Sequence, residues 1–150
     1  MISDIVLLEN KKIDKVKWDR IINESHFSNY ALKSYFLDAI FPNWSAIVYK
    51  DYEVVFPLTV KSKFGIKYFI TPIFIPFLGF SSSIKSISDV TDNILFELNK
   101  QAKYLNLFLD PFSSSFIKGN ESYQRKCQVL DLNDNYEILY KSYSVNHKRN

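Results

Sequence analysis

Lys61, Lys63 and Lys67 stand within seven residues of one another, and no acidic residue occurs between Glu53 and Asp89. A basic stretch of this kind can hold a carboxylate or phosphate of a bound acceptor. The same residues also read as a solvated, lysine-rich hairpin that discourages edge pairing. Tyr68, Phe74 and Phe77 come next in the chain. They either line an apolar pocket or pack into a sheet core at period two. Asp110 precedes Pro111-Phe-Ser-Ser-Ser115. A carboxylate at a strand end can act as a base toward an amine, or it can cap the turn that follows. His26 has Ser25 and Ser28 beside it. A nucleophile–base pair needs spatial reach and an orienting third group, and the spacing provides neither. Lys141, Lys148 and Arg149 could meet RNA or a phosphorylated donor, or simply form a polar, frayed terminus.

The totals bound the chemistry. One cysteine, Cys127, excludes an internal disulfide, and two histidines, His26 and His147, leave no zinc-ligand spacing, so no metal is expected. A net charge of +3 gives weak support for a polyanionic partner. The apolar run around residues 70–80 is short for a membrane span and is broken by prolines. No signal-peptide pattern opens the chain, and the expected location is cytoplasmic. At 150 residues, rich in Phe and Tyr and poor in Gly, the chain has the size and composition of one ordinary folded domain.

The elements that must position these residues follow from local patterns. Ile5–Leu8 reads as a strand. Asp14 caps a helix through Glu24 with Val16, Ile21 and Ile22 on its apolar side and Trp18 on its boundary. Residues 30–40 repeat apolar side chains at helical spacing, which places Tyr30 and Tyr35 in the core or at its boundary. Residues 44–49, 53–60 and 66–70 make a three-stranded antiparallel meander, the last two strands joined by a hairpin over Lys61-Ser-Lys-Phe-Gly65. Pro72 and Pro76 turn residues 71–79 into an edge or an irregular wall, whose apolar bulk favours core over binding surface. A polar loop over 81–88 precedes a helix to about Tyr104, and a strand over 106–110 returns to the sheet. A loop over 111–121, a strand over 124–132 and a helix over 136–145 complete the chain. The fold class expected is α+β, with a mixed, mainly antiparallel central sheet and helices on its faces.

Several pieces, taken in order, carry a family resemblance: Lys17-Trp-Asp19, Tyr35-Phe-Leu-Asp-Ala-Ile40, Trp44-Ser-Ala-Ile-Val48, Phe56-Pro-Leu58, Lys61 to Tyr68, Thr71-Pro72 with Leu78-Gly79, Val129-Leu-Asp-Leu132, and the 136–143 segment running into Asn146-His-Lys-Arg-Asn150. The series resembles the N-terminal half of Fem-type acyltransferases of the GNAT superfamily. That likeness implies a GNAT-like domain, an amine or peptide acceptor, and acyl-CoA or aminoacyl-tRNA as donor of the full-length protein. It further implies that residues 136–150 begin a linker helix to a second GNAT-like half. On this reading Lys61, Lys63, Lys67, Tyr68, Phe74, Phe77 and Asp110 are the acceptor-side residues, and Lys148 and Arg149 the donor-side or RNA-side ones. No nucleic acid other than tRNA is expected as a partner, since the mild net charge argues against one. Two departures stand out. Ile75-Pro-Phe77 occupies the place where the similar proteins carry polar residues before Leu-Gly. The Lys148-Arg149-Asn150 ending resembles the start of a longer basic helix joining two halves, so the chain is expected to be a piece of a protein about twice its length. The Gln/Arg-x-x-Gly-x-Gly/Ala phosphate loop of an acyl-CoA site does not occur, Gly65, Gly79 and Gly119 being isolated, and the resemblance puts that loop in the second half. The chain alone is therefore expected to hold no cofactor and to be inactive. The alternative is a non-catalytic module that binds a protein or peptide with the aromatic wall over 68–79.

Overall fold

The computed structural model describes residues 4–84, 87–116, 123–126, 135–144 and 148. The chain divides into two units, Met1–Gly119 and Asn120–Asn150. The first unit is a mixed α+β arrangement with two sheets.

Strand β1 (Ile5–Glu9) pairs antiparallel with β2 (Ser45–Tyr49), and β2 with β3 (Val54–Leu58). Between β1 and β2 lie helices α1 (Lys15–Glu24) and α2 (Ser34–Ile40). Asp14 caps α1 as its position predicts, accepting the amides of Val16 and Lys17. The second helix starts later than periodicity suggests. A short 3-10 turn, Tyr30–Leu32, precedes it, capped by Asn29. The cap of α2 comes from far away in sequence: Asp19 accepts both the amide and the hydroxyl of Ser34, each at 2.7 Å.

Trp18 is fully buried, not at a boundary, while Val16 points to solvent. The indole of Trp18 packs on Trp44 with ring centroids 4.7 Å apart and donates to the Leu32 carbonyl. Tyr30 and Tyr35 are exposed rather than core, stacked edge to face at 5.7 Å. Their hydrogen bond pushes the Tyr35 hydroxyl up to about 12.

The expected three-stranded meander is interrupted at Thr59. Residues 60–63 leave the first sheet as β4 (Val60–Lys63) and pair with β5 (Ile66–Ile70) in a second sheet. Thr59 is buried at the corner, its hydroxyl donating to the Ile70 carbonyl. The returning chain then re-joins the first sheet as β6 (Ser81–Ser82), a strand in a segment that reads as a polar loop. Val60 faces Phe69 and Val55 faces Ser81, so the four residues between them on one side are answered by eleven on the other. The excess is the proline-punctuated wall. Pro57, inside the fully buried β3, is tolerated because β6 reaches only Val54 and Val55, and among the described residues β2 alone pairs with β3 at Pro57.

Helix α3 (Ser88–Gln101) buries Ile94 and Leu98 and returns the chain to β7 (Tyr104–Asn106), which runs parallel to β5. The strand expected over 106–110 thus begins two residues earlier. Only Leu109 within 107–110 bridges again, to Leu78. A one-turn helix, α4 (Pro111–Ser115), replaces the expected loop.

In the second unit, α5 (Tyr136–Ser142) carries the expected terminal helix as far as Ser142, capped by Asn135. Residues 123–126 form no strand. The rest of the strand expected over 124–132, with Cys127, lies outside the described residues, as do Gly119, Val145, His147 and Arg149.

Candidate functional site

The turn that joins β4 to β5 decides which side chains share a face. Lys63 lies opposite Ile66, leaving Phe64 and Gly65 as a two-residue loop with φ of 52° and 74°. Two positive φ values are the type I′ signature, whose twist matches a hairpin. Gly65 suits it, but Phe64 does not, because a left-handed conformation crowds a Cβ against the backbone. The Phe64 ring is nevertheless 92% exposed, with the Lys63 ammonium 5.5 Å from its centre.

Registered partners in a sheet project to the same side. Lys61 faces Tyr68 across β4–β5, and Tyr68 faces Tyr104 across β5–β7. Lys63 and Ile66 form the next rung on this side. Val60, Phe69 and Leu105 form the opposite side, where Phe69 is buried in the core and Leu105 packs against it. The sheet therefore turns Lys61, Lys63, Ile66, Tyr68 and Tyr104 outward. Lys61 and Lys63 are exposed, Tyr68 is half-buried and Tyr104 is 59% exposed. No acidic residue occurs in β4, β5, β7 or the turn.

Lys67 is not with the other two lysines. It alternates to the core side with Ser62 and borders a shallow cleft of about 380 Å³ beside the last turn of α3, together with Lys100 and Lys103. Lysines there complement the carbonyl end of the helix. Lys100 is paired with Glu97 at 2.7 Å.

Phe74 and Phe77 belong to the excursion over 71–80, away from the hairpin tip in sequence. The excursion is tied at several points: the Thr71 amide donates to the Asn106 carbonyl, the Leu78 amide to the Phe108 carbonyl, and the Asn29 side chain to the Phe77 carbonyl. Ile75, Leu78 and Phe80 are buried and hold it down, whereas Phe74 is 78% exposed at a φ of 74°. Phe77 is half-buried.

Asp110 is buried as the cap of α4. Its carboxylate accepts the amide of Ser113 at 2.8 Å and the Ser113 hydroxyl at 2.6 Å, while that hydroxyl accepts the Phe80 amide. Burial pushes its carboxyl above the usual carboxylate range, against the hydrogen bonds from Ser113. A group so enclosed serves the fold. The pair Asp110-Pro111, a cap followed by a first-turn proline, is a helix-start signal that sequence reading could have used.

Ser25 accepts the amide of Ser82, and His26 lies with its ring 6.3 Å from Phe112, so neither is arranged as a nucleophile and base. Lys148, in the second unit, donates to the Lys141 carbonyl and sits 5.3 Å from the Tyr140 ring centre. Among the described residues no three His, Cys, Asp or Glu side chains are grouped to hold a metal ion, and no helix is long and apolar enough to cross a membrane.

Sequence reasoning missed Phe64 and Tyr104. In the sequence Phe64 reads as part of a loop and Tyr104 as a helix end. Leu105, Leu107 and Leu109 recur at every second position, and that alternation is the signal that finds Tyr104 on the other side of a strand. No protein-family model matches the chain, and comparison with curated proteins and with solved structures found no match.

Proposed function

We propose that this chain is the acceptor-side part of an N-acyltransferase, holding a molecule that presents an amine while a second GNAT-like domain holds the acyl-CoA or aminoacyl-tRNA donor. The observation that carries this reading is the outward face of β4–β5–β7, where Lys61 and Lys63 stand beside Tyr68 and Tyr104 with no carboxylate on those strands. Such a face attracts an acceptor with an anionic group and gives its apolar part a ring to lie on. The ordered series of residues that resembles Fem-type proteins supports the reading. So does the mixed pairing, an antiparallel hairpin followed by a parallel β–α–β return. The sequence has no glycine-rich loop to cradle a donor's phosphates, which is in keeping with a donor held by the second domain. Calorimetric titration of the chain with acetyl-CoA tests this division. The expected result is no low-micromolar binding, and saturable low-micromolar binding overturns it.

A second reading is favoured by Ile73 and Phe74, two exposed apolar side chains on a well-anchored turn. On it the chain is a non-catalytic module whose wall over 68–79 docks a protein or peptide. Ile73→Ser separates the two: it weakens docking under the second reading and leaves acceptor binding in place under the first.

A further inference from the structure

We propose that the outward face of β4–β5–β7 binds single-stranded nucleic acid, with Phe64, Tyr68 and Tyr104 as stacking platforms and Lys61 and Lys63 as phosphate contacts. The proposal names the class of molecule that presents itself at the face described above, and it rests on reading that face as a binding surface, not on acyl transfer.

Phe64 occupies a left-handed position that costs a non-glycine residue roughly 1–2 kcal/mol. Its ring recovers nothing by burial, being almost wholly in solvent. An exposed aromatic held in a disfavoured conformation points to a ligand. Tyr68 and Tyr104 are direct partners on neighbouring strands, which sets them about 4.8 Å apart at the backbone on one side of the sheet. Each base of a single strand offers a flat π-face to such rings, whereas a duplex hides its bases.

The charges agree in sign and spacing. Lys61 and Lys63 are two residues apart on one strand, hence roughly 6.6 Å apart along it. That is close to the separation of neighbouring phosphates in an extended strand. Lys61 shares a rung with Tyr68, its ammonium 6.0 Å from the Phe41 ring centre, and the Lys63 ammonium lies 5.5 Å from the Phe64 ring centre. A protein partner would have to alternate carboxylates for the lysines with side chains that pack on the rings. A strand of nucleotides repeats ring and anion together.

Fluorescence anisotropy with labelled U12 tests the proposal. Binding is expected with a Kd on the order of 10 µM at low salt, typical of a few phosphate contacts. Tyr68→Ala and Tyr104→Ala each weaken it roughly tenfold, as loss of one stacked base requires. The Lys61→Ala/Lys63→Ala double variant lowers the salt slope by about 1.4, from two phosphates on a single strand. Lys67→Ala, on the other side of the sheet, shifts the affinity less than Lys61→Ala. Phe64→Asn weakens binding while relieving backbone strain, so its loss cannot come from unfolding. Absence of U12 binding overturns the proposal. So do equal binding of inorganic polyphosphate with no effect of the tyrosine variants, and equal binding of hexaglutamate. Acetyl-CoA binding bears on the donor assignment alone, so failure of either reading is distinguishable from failure of the other.

Discussion

Gly79 and Asp110 approach so closely that a Cβ on Gly79 would lie 1.7 Å from the Asp110 Oδ2 and 2.6 Å from the Ser113 hydroxyl. Only glycine lets the wall segment lie against the cap of α4. The Phe80 amide then reaches the Ser113 hydroxyl, which donates to Asp110, and the excursion is locked to the chain after β7. Gly79→Ala should therefore cost about 3 kcal/mol, at the upper end of overpacking, because the atoms it meets belong to a buried hydrogen-bonded cap rather than to a flexible side chain. A fall in the urea midpoint at unchanged m-value is the readout.

Asp110 has a pH signature of definite sign. Burial raises its folded-state pKa above the unfolded value. The native state therefore binds more protons than the unfolded chain between those two values, and stability falls as pH rises through that window. The contribution is fully present below the ordinary carboxylate pKa and is lost above the raised one. Asp110→Asn keeps an oxygen to cap Ser113 but cannot ionise. The stability of the native chain relative to this variant should decline from about pH 3 upward through the window, as followed by urea unfolding at a series of pH values. A difference that grows with pH contradicts the assignment.

Much of the scaffold was legible because its signals are local. Asp14 before an apolar-periodic run and a Gly in a short link between β-rich segments are each satisfied within a few residues. What escaped depends on distant partners. The break at Thr59 is invisible in a run of β-formers, since the corner is set by where the return strand leaves and re-joins. Ser81 and Ser82 look like a loop until β3 supplies a partner. The three lysines are close in sequence, but the alternation of a strand sends Lys67 to the other side of the sheet from Lys61 and Lys63. Asp110 looked open to two roles because sequence does not show burial.

Asp38 and Trp44 provide an internal reporter. The Asp38 carboxylate accepts the Trp44 indole at 2.8 Å, Asn10 at 2.7 Å and Lys15 at 2.9 Å. Partial burial opposes its ionisation, yet these donors together outweigh the burial and hold its carboxyl below the usual range. Its stabilisation is present above the unfolded carboxylate pKa and is lost as pH falls through the depressed folded value. Asp38→Ala leaves the buried indole N–H without an acceptor and should cost about 2 kcal/mol near neutrality. Because Trp44 packs on Trp18, the same substitution should shift the emission maximum of the folded state. An unchanged spectrum and midpoint would show that the contact is idle.

Asn29 ties two layers together. Its side-chain oxygen caps the turn over Tyr30–Leu32, while its amide nitrogen holds the Phe77 carbonyl at 2.9 Å. Asn29→Asp keeps the cap and removes the donor; Asn29→Ala removes both. The first should cost about 1 kcal/mol and the second about 2 kcal/mol, the increment being one helix cap. Equal losses in thermal unfolding would mean that the wall is held without this bond.

Phe64 gives the sharpest test of whether the hairpin tip is built for stability or for contact. A left-handed residue is accommodated far better as asparagine than as phenylalanine, and the ring buries almost nothing that could compensate. Phe64→Asn should accordingly stabilise the chain by about 1 kcal/mol in urea unfolding. If instead it destabilises, the ring must contribute packing through its contact with Lys63, and the tip is structural. Stabilisation coupled to weaker U12 binding is the pattern expected of a residue kept at a cost to the fold for what it touches outside it.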